Sequence, residues 1–392
     1  MDPRTDPQPP SGDVRPKPVR FRDGIGFCLA VFLVLRILLA LLSVATIGVV
    51  RAPGLGADQP PPLFPGWHNI VEGTDRWDAK RYLAIASAGY QGNGESAAFF
   101  PGYPIAIRAV SAVPGVDDVV AAELISNVAF FGALVVFHAL TRREIAQVDA
   151  RRAVLLLACF PTSFFFFAPY SESLFLVASM LAFWWARGDR WARAGLAGLL
   201  AAAVRNVGVL LVPGLLIEAM TAPRPRRRTA ILGALLPLAA PIAIGLYWQV
   251  TTGDLLAPFH AQDAWHKAFE LPVVTIGHAV SLGIEGVTSA RGIYWTIDAV
   301  VTAAIVVPVA LRWRMIPAPY LAYVVASLLV IFSYPLPERP LVSAPRYALV
   351  LFPAYWTMAD LWGGKGFRVV LAAFIVGWVV LAVIFMNWGY VF

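Results

Sequence analysis

The sequence predicts an all-α protein that crosses a membrane several times, as a bundle of about eleven transmembrane helices with short interfacial helices in its outer loops. Hydrophobic residues make up 59% of the chain and charged residues only 14%, whereas a soluble domain is nearer half apolar and a quarter charged. The apolar residues recur in runs of roughly twenty, the length that crosses a hydrocarbon layer of about 30 Å. A soluble core built from 392 residues has no room to enclose so many runs.

The predicted spans follow one another along most of the chain. Hydropathy places them at residues 25–50, 118–140, 153–169, 171–186, 193–205, 207–220, 229–250, 292–311, 316–334, 345–361 and 368–387. Residues 1–23 are rich in proline and charge and are predicted to form a disordered cytoplasmic tail, which leaves residues 24–392 as one transmembrane domain. The first apolar run lacks a small-residue cleavage site, so we expect a retained helix rather than a signal peptide. Cys28 and Cys159 lie inside apolar runs, where neither a disulfide nor a metal site is expected.

The positive charges predict the orientation of the bundle. With the N-terminus in the cytoplasm, the tail and the short connections on that side carry most of the 31 Lys and Arg residues, as cytoplasmic segments do. The basic residues of these connections are Arg142, Arg143, Arg151, Arg152, Arg187, Arg190, Arg193, Arg224, Arg226, Arg227, Arg228, Arg312, Arg314, Lys365 and Arg368. The net charge of +7 therefore indicates topology rather than nucleic-acid binding, and the C-terminus is predicted to lie outside.

Residues 193–220 allow two interpretations, because two short apolar halves meet at Arg205-Asn206. One continuous helix would put the basic cluster at residues 224–228 outside the cell. Two short helices that meet at a polar elbow keep this cluster in the cytoplasm. Irregular backbone is tolerated at membrane depth where it lines a cavity, so we predict the elbow.

The outer loops, residues 51–117 and 251–291, are long and rich in Trp, Tyr, His, Pro and carboxylates. The inward connections are short and basic, and they are not enriched in these residue types. Because long connections with structure of their own concentrate function, we expect any chemistry on the extracytoplasmic side of the cell membrane.

The most informative stretch is residues 75–90. Asp78, Tyr82 and Ile85 fall on one face of a helix by their spacing, and Trp77 and Tyr82 suit a membrane interface. The helix dipole stabilises a carboxylate anion in the first turn of such a helix. The motif fits either a capped interfacial helix or a catalytic carboxylate at the lipid boundary.

Polar residues within apolar surroundings are the next candidates. Glu172 lies between two apolar spans, where it fits either a solvated turn or a group that orients a basic residue. Arg205 and Asn206 interrupt apolar helix and are functional candidates by default, whereas Arg346 at an outer span end is also explained by snorkelling. Arg36 lies mid-span and is expected to pair inside the bundle.

Residues 253–267 raise the question of a metal site, because His260, Asp263 and His266 are close in sequence. This spacing is weak evidence for a metal, and an amphipathic interfacial helix is the favoured interpretation. The chain has no GxxxxGK(S/T) loop and no GxGxxG segment after a strand, which disfavours a nucleotide-hydrolysing pump and a dinucleotide enzyme.

Several segments together resemble a known family. They are, in order, Arg76-Trp77-Asp78, Tyr82 to Tyr90, Ala98-Phe99-Phe100-Pro101-Gly102-Tyr103-Pro104, Pro161-Thr162-Ser163, Tyr170-Ser171-Glu172-Ser173, Arg205-Asn206, and Arg346-Tyr347 to Phe352-Pro353. In this order they are similar to the PIG-V mannosyltransferases, which add the second mannose of the GPI anchor in eukaryotes and have bacterial relatives. At the elbow the sequence reads Arg205-Asn206-Val207-Gly208 where the family pattern reads Arg-Ser-Asn-Gly.

The resemblance implies a membrane glycosyltransferase domain of the GT-C type. Such enzymes use a polyprenyl-phosphate sugar on the outer or lumenal face and keep an essential aspartate in the first outer loop, which is Asp78 here. The expected site has Asp78 as the base, and its expected substrate-binding residues are Trp77, Tyr82, Glu172, Arg205, Asn206, Arg346, Tyr347 and His260.

The chemistry of the donor agrees with this expectation. Outside the cytoplasm there is no pool of nucleotide sugars, so an activated sugar must arrive on a lipid. Glycosidases need two carboxylates, but a phosphate leaves as a stable anion, so one carboxylate acting as base on the acceptor hydroxyl is enough. Arginine suits the leaving phosphate, a single displacement inverts the sugar carbon, and no metal or other cofactor is required.

Two other hypotheses stay open at this point. A transporter or lipid flippase would spread charged residues along a path through the membrane, whereas the unusual residues here cluster on one face, which favours an enzyme. A degenerate relative that serves as a partner subunit is the third hypothesis. The expected partners are membrane lipids, a polyprenyl-phosphate-mannose donor and an acceptor that is a glycolipid, a glycan or a protein.

Overall fold

The computed structural model describes residues 21–47, 70, 73–90, 94–265, 267–288 and 292–389. Within these ranges the chain is helical, and the only extended pairing is an isolated bridge between Leu336 and Arg339. The prediction of an all-α bundle is therefore confirmed. The expected tail, apart from residues 21–23, lies outside the described residues, as do residues 51–69 of the first outer loop and His266.

The α-helices of the described residues are numbered here in chain order. They are α1 (Ile25–Thr46), α2 (Asp78–Ala88), α3 (Gly102–Ser111), α4 (Asp118–Glu144), α5 (Ala150–Ala158), α6 (Glu172–Ala186), α7 (Trp191–Val204), α8 (Leu211–Thr221), α9 (Arg227–Leu235), α10 (Ala239–Thr252), α11 (Ala257–His260), α12 (Pro272–Glu285), α13 (Ile293–Arg312), α14 (Ala318–Ser333), α15 (Ala344–Leu349), α16 (Pro353–Leu361) and α17 (Gly364–Met386). Short 3-10 turns join them at Phe21–Gly24, Gly94–Ala98, Ser163–Phe166, Asn206–Leu210, Arg224–Arg226, Leu236–Leu238, Ala261–Trp265, Gly286–Thr288 and Trp313–Met315.

Several of these helices suit a membrane by length and composition. Five helical segments of the described chain are long and apolar enough to span, namely Phe21–Thr46, Asp118–Glu144, Arg224–Thr252, Ile293–Met315 and Gly364–Met386. Four shorter apolar helices accompany them, at Glu172–Ala186, Trp191–Val204, Asn206–Thr221 and Ala318–Ser333. Large apolar side chains such as Val34, Val128 and Val376 are more than half exposed on the long helices, as lipid-facing residues are. The protein is thus a multi-pass membrane protein, although these helices do not fix the count at eleven.

Two predicted spans, 153–169 and 345–361, are each broken into two short helical pieces. The first breaks around Pro161 and the second before Pro353, because proline has no N–H group to continue the hydrogen-bond ladder of a helix. The first break lies against the beginning of α15, since Thr162 Oγ1 donates a hydrogen bond to the carbonyl of Pro345 over 3.3 Å. Non-helical backbone of the first segment therefore packs against the second segment inside the bundle.

The predicted elbow in residues 193–220 is confirmed. Helix α7 ends at Arg205, which has an extended backbone (φ −146°, ψ 138°), and a 3-10 turn then leads into α8. The chain folds back so closely that a Cβ atom on Gly208 would lie 2.4 Å from the Cα atom of Ala202. On the other side of the elbow, a Cβ atom on Gly102 would lie 2.7 Å from the backbone of Ala203. Glycines at both positions thus let three segments meet at Arg205.

Helix α4 separates two ends of the bundle that differ in charge. It has 27 residues, about 40 Å at 1.5 Å per residue. Near its beginning Glu123 pairs with Arg36 over 2.8 Å, which confirms that Arg36 pairs inside the bundle. At its other end Glu144 pairs with Arg187 over 2.7 Å. Arg143 and Arg187, from two of the predicted basic connections, both pair with Glu144, and we call this the basic end.

Aromatic side chains fill the centre of the bundle. All four phenylalanines of residues 164–167 are buried. Phe166 stacks on Phe130 of α4 at 4.7 Å between ring centroids, and Phe165 lies 5.1 Å from Phe385 of α17. This broken segment therefore holds an early helix and a late helix of the chain together.

The two loops that the sequence predicts on the outer side pack against each other. The 3-10 turn Gly94–Ala98 lies against α11 and the turn that follows it, and Trp248 meets Tyr90 edge-on at 5.1 Å. The predicted short helices of these loops are present as α2, α3 and α11. Helix α12 was not expected from the sequence, and it packs on α13 and α14 while Val273 and Ile284 stay about 70% exposed or more.

Candidate active site

Asp78 is the first residue of α2, and the segment before it is fixed by the end of α17. Trp77 has a left-handed backbone (φ 52°, ψ −117°), which is strained for a bulky residue and persists only where neighbours hold it. Its ring packs edge-on against Trp388 at 5.9 Å. Arg76 lies over the same Trp388 ring at 4.7 Å and donates a hydrogen bond to the carbonyl of Met386 over 3.1 Å. These contacts set the direction of the Asp78 side chain, which is 33% exposed.

Arg346 lies directly beside Asp78. Its Nη2 atom is 2.8 Å from Asp78 Oδ2, and its Nε atom is 3.4 Å from Glu172 Oε1. The guanidinium also lies over the rings of Phe165 and Tyr170, at 5.6 Å and 5.4 Å. Helix α15, whose first turn accepts the hydrogen bond from Thr162, thus places a nearly buried cation between two carboxylates.

Glu172, the first residue of α6, is the most buried of the charged groups, with a side chain only 1% exposed. Its Oε1 atom accepts a hydrogen bond from Arg205 Nη1 over 2.5 Å, and the same Nη1 donates to Ser171 Oγ over 3.1 Å. The charges therefore alternate along a chain from Asp78 to Arg346, Glu172 and Arg205. Of the two interpretations of Glu172, the structure supports the one in which it orients basic residues, and not a solvated turn.

Tyr82 connects the first motif to this cluster. Its hydroxyl lies 2.9 Å from Ser171 Oγ, and its ring meets Phe99 and Tyr103 edge-on, each at 5.2 Å. Asp78 and Tyr82 therefore lie on the same face of α2, as predicted, and this face is turned toward Glu172 and Arg205. The aromatic Phe99–Tyr103 turn forms the wall behind it.

Tyr347 lies among three cations. Its ring is 5.6 Å from the guanidinium carbon of Arg205, 5.4 Å from that of Arg346 and 5.3 Å from Nζ of Lys267. Sequence reasoning had not proposed Lys267, Ser171 or Tyr170 as site residues. Ser171 and Tyr170 could have been found, because they flank Glu172 in the same motif.

Asn206 and His260 are placed apart from this cluster. Asn206 is exposed, and its side-chain oxygen accepts a hydrogen bond from its neighbour Val207 N over 2.8 Å, which closes the 3-10 turn. His260 Nδ1 lies 2.8 Å from Asp254 Oδ2, with both side chains exposed. The imidazole lowers the pKa of Asp254 below its usual range, mainly through this hydrogen bond. The roles predicted for Asn206 and His260 stay predictions.

The cluster of Asp78, Arg346, Glu172 and Arg205 can hold an anion and accept a proton. Two arginines with little exposure give it positive charge in a medium of low dielectric constant, where charge acts strongly. Of the two carboxylates, Asp78 has the more exposed side chain and Glu172 the more buried one. Among the described residues, no group of three or more His, Cys, Asp or Glu side chains is arranged to bind a metal ion.

The site lies near the beginning of α4, away from the basic end. Ser126 of α4 donates a hydrogen bond to the carbonyl of Tyr170 over 3.1 Å, one turn from the Glu123 pair. The opposite end of the same helix carries Glu144 and its arginine. Site and basic clusters thus occupy opposite ends of one long helix.

Comparisons with known proteins identify relatives of part of this chain. Residues 27–221 match the family model described as Mannosyltransferase (PIG-V). GPI alpha-1,6-mannosyltransferase 2 of Rattus norvegicus is 32% identical over 158 residues, which cover 38% of this chain and 32% of that protein. The same protein of Cricetulus griseus is 31% identical over 161 residues, with the same coverage. The match thus spans about a third of the length of these relatives.

Among solved structures, ArnT from Cupriavidus metallidurans bound to undecaprenyl phosphate is similar to this chain with a TM-score of 0.49 and 13% sequence identity. The superposition covers 93% of this chain and 74% of that one. The region matched by the family model contains Asp78, Glu172 and Arg205, whereas Arg346 and Lys267 lie beyond it. Through residues 27–221, which hold most of the motifs singled out in its sequence, this chain is similar to the PIG-V mannosyltransferase family.

Proposed function

We propose that this chain is an inverting membrane glycosyltransferase of the GT-C type, which transfers mannose from a polyprenyl phosphate to an acceptor on the extracytoplasmic face. Asp78 acts as the general base. Arg346 and Arg205 bind the phosphate of the donor, and Trp77, Tyr82 and Tyr347 shape the pocket around the sugar.

The observation that carries this proposal is the 2.8 Å approach of Asp78 to Arg346. Glycosyl transfer from a phosphate needs a base for the acceptor and cations for the leaving group. Here a partly exposed carboxylate and a nearly buried arginine lie in direct contact. A phosphate bound to Arg346 would therefore stand next to the carboxylate that receives the proton.

The proposed step balances in charge and atoms. The acceptor oxygen attacks the anomeric carbon and forms the new C–O bond, while its proton passes to a carboxylate oxygen of Asp78. The bond between the anomeric carbon and the phosphate oxygen breaks, and its electron pair leaves with the phosphate. The arginines stabilise the growing negative charge through hydrogen bonds. This scheme calls for no metal and no further cofactor.

Glu172 has a positioning role in the proposal. It lies between Arg205 and Arg346, within 2.5 Å and 3.4 Å of their nitrogen atoms. A buried arginine without a partner costs several kcal/mol, on the order of 3–5. Glu172 thus keeps both arginines in place when no donor is bound.

The orientation also follows from charge. The arginines at the end of α4 that carries Glu144 match the cytoplasmic side by the positive-inside rule. The Asp78 cluster at the other end of α4 then faces outward. There the sugar has to come from a lipid donor, in keeping with a cluster built for phosphate. The grouping of the charges at one end favours an enzyme over a transporter.

Release of polyprenyl phosphate tests the proposal. Purified protein is incubated with polyprenyl-phosphate mannose and a panel of phosphoinositide, glycan and peptide acceptors, and the released polyprenyl phosphate is measured by mass spectrometry. The wild type is expected to release it, and Asp78→Asn to release none although it elutes and melts as the wild type does. Glu95→Gln removes an exposed carboxylate at the same end, paired with Arg81, and should keep full activity. Full activity of Asp78→Asn would overturn the assignment of the base.

The acceptor requires a separate experiment in cells. Deletion of the gene, followed by mass spectrometry of envelope glycolipids, glycans and glycoproteins, should show the loss of one mannosylated product. Lipid movement or solute uptake by the purified protein in vesicles, without any sugar transfer, would favour a transporter instead.

A further inference from the structure

Three cationic side chains at the site lie close to one aromatic ring, that of Tyr347. Arg205, Arg346 and Lys267 all lie within 6 Å of the centre of the Tyr347 ring, the range in which a cation is attracted to an aromatic face. They come from three separate segments, the elbow after α7, helix α15 and the loop before α12. Separate parts of the fold therefore bring positive charge to one point.

The carboxylates at this point do not balance the cations. Arg205 pairs with Glu172 and Arg346 pairs with Asp78. In the part of the chain that the structure describes, no carboxylate oxygen lies within 4 Å of Lys267 Nζ. Three cations thus face two carboxylates, and one positive charge is left over. An excess of positive charge among partly buried side chains attracts an anion.

Lys267 is held near the ring by the rest of its loop. Three residues further on, the backbone N–H of Glu270 donates a hydrogen bond to the carbonyl of Ser333 over 2.9 Å. Phe269 packs edge-on against Tyr334 at 6.0 Å. The second outer loop is therefore anchored to the end of α14, and this anchor sets how far Lys267 reaches toward Tyr347.

We infer that Lys267 is a third phosphate-binding residue, which contacts the phosphate of a polyprenyl lipid together with Arg346. The inference rests on the proposed function and extends it to the second outer loop. A lysine ammonium is a compact point charge that can approach one phosphate oxygen while an arginine binds two others. The left-over charge matches the single negative charge of a sugar-phosphate diester.

The charge of the lipid phosphate changes during the reaction. The donor is a diester with one negative charge, whereas the released monoester carries about 1.5 to 2 negative charges at neutral pH. Lys267 therefore interacts more strongly with the product than with the donor. Removing it should weaken binding of the monoester more than binding of the diester. A lysine that only supported the loop would affect both equally.

Binding of undecaprenyl phosphate to the purified full chain in nanodiscs tests the inference. The variants are Lys267→Ala, the conservative Lys267→Arg and, as a matched control, Arg81→Ala, which removes an exposed cation of the same end. Phosphatidylglycerol serves as a second anionic lipid, and polyprenyl-phosphate mannose as the diester. The melting temperature of each variant is recorded beside its affinity.

The expected result is a loss of undecaprenyl phosphate affinity of about 10- to 100-fold in Lys267→Ala, the effect of one lost charge-assisted hydrogen bond. Lys267→Arg should recover most of it, Arg81→Ala should bind as the wild type, and the diester should lose less affinity than the monoester. Unchanged affinity of Lys267→Ala would overturn the role of Lys267 and leave the proposed function standing. A wild type that binds phosphatidylglycerol as tightly as undecaprenyl phosphate would overturn both the inference and the proposed donor.

Discussion

Asp78 and Arg346 form a direct ion pair, with 2.8 Å between Oδ2 and Nη2. The proposed base is thus bonded to a residue proposed to bind the leaving group. In this pair, Oδ2 of Asp78 is occupied by Arg346. A donor phosphate that takes over the hydrogen bonds of Arg346 would release the carboxylate, so the donor would have to bind before Asp78 can act.

Asp78→Asn should therefore bind polyprenyl phosphate more tightly while it loses transfer. Asparagine does not compete with the phosphate for Arg346, and the gain is about tenfold if one charged hydrogen bond is freed. Equilibrium binding of undecaprenyl phosphate to wild type and variant measures this. A weaker affinity in Asp78→Asn would mean that Asp78 does not compete with the phosphate.

Glu172→Gln should destabilise the protein by about 3–5 kcal/mol, because it leaves Arg205 buried beside a neutral side chain. The double variant Glu172→Gln with Arg205→Met removes both charges of the pair and should regain part of this loss. Thermal unfolding in detergent compares the two. The idea of a buried charge pair fails if the single variant melts like the wild type.

Gly208→Ala should disturb the elbow that carries Arg205. The new Cβ atom would lie 2.4 Å from the Cα atom of Ala202, and relief of such overpacking costs about 1–3 kcal/mol. Both the melting temperature and the transfer rate should fall. Gly26→Ala is the control, since a Cβ atom there meets nothing within 4 Å and alanine favours a helix. If Gly208→Ala and Gly26→Ala had the same melting temperature and transfer rate, this would contradict the close packing at the elbow.

Single cysteines should report the orientation. Glu95→Cys near the site and Arg190→Cys at the basic end both replace exposed residues, whereas the native Cys28 and Cys159 are buried. In intact cells, a membrane-impermeant thiol reagent should label position 95 and leave position 190 unlabelled. In inverted vesicles the pattern should reverse. Labelling of position 190 in intact cells would place the site in the cytoplasm.

The sequence predicted those features that depend on neighbours along the chain. Hydropathy and charge gave the helical bundle and the elbow at Arg205, and the spacing of Asp78 and Tyr82 gave their shared face. These signals are local, because a helix repeats over a few residues. The motif resemblance then added Arg346, which hydropathy alone explained equally well by snorkelling.

Contacts between distant segments were not predictable in the same way. The approach of Lys267 to Tyr347 depends on how the second outer loop packs on α14, and no periodicity encodes that packing. Pro161 and Pro353 are signals for the two helix breaks. The long apolar runs around these prolines nevertheless gave a high mean hydropathy, which predicted continuous spans. A buried pair between Asp298 and Arg339, with 2.6 Å between its closest atoms, was likewise missed, since its partners lie on different segments.

The anchor of Arg76 on Met386 joins residues 310 positions apart. During synthesis the segment before Asp78 emerges from the ribosome well before its partner at the end of α17. Under the proposed function, Asp78 therefore reaches its working position only once α17 has been inserted. On that proposal, a nascent chain that still lacks α17 would be inactive toward the lipid donor and could not consume sugar while it is being made.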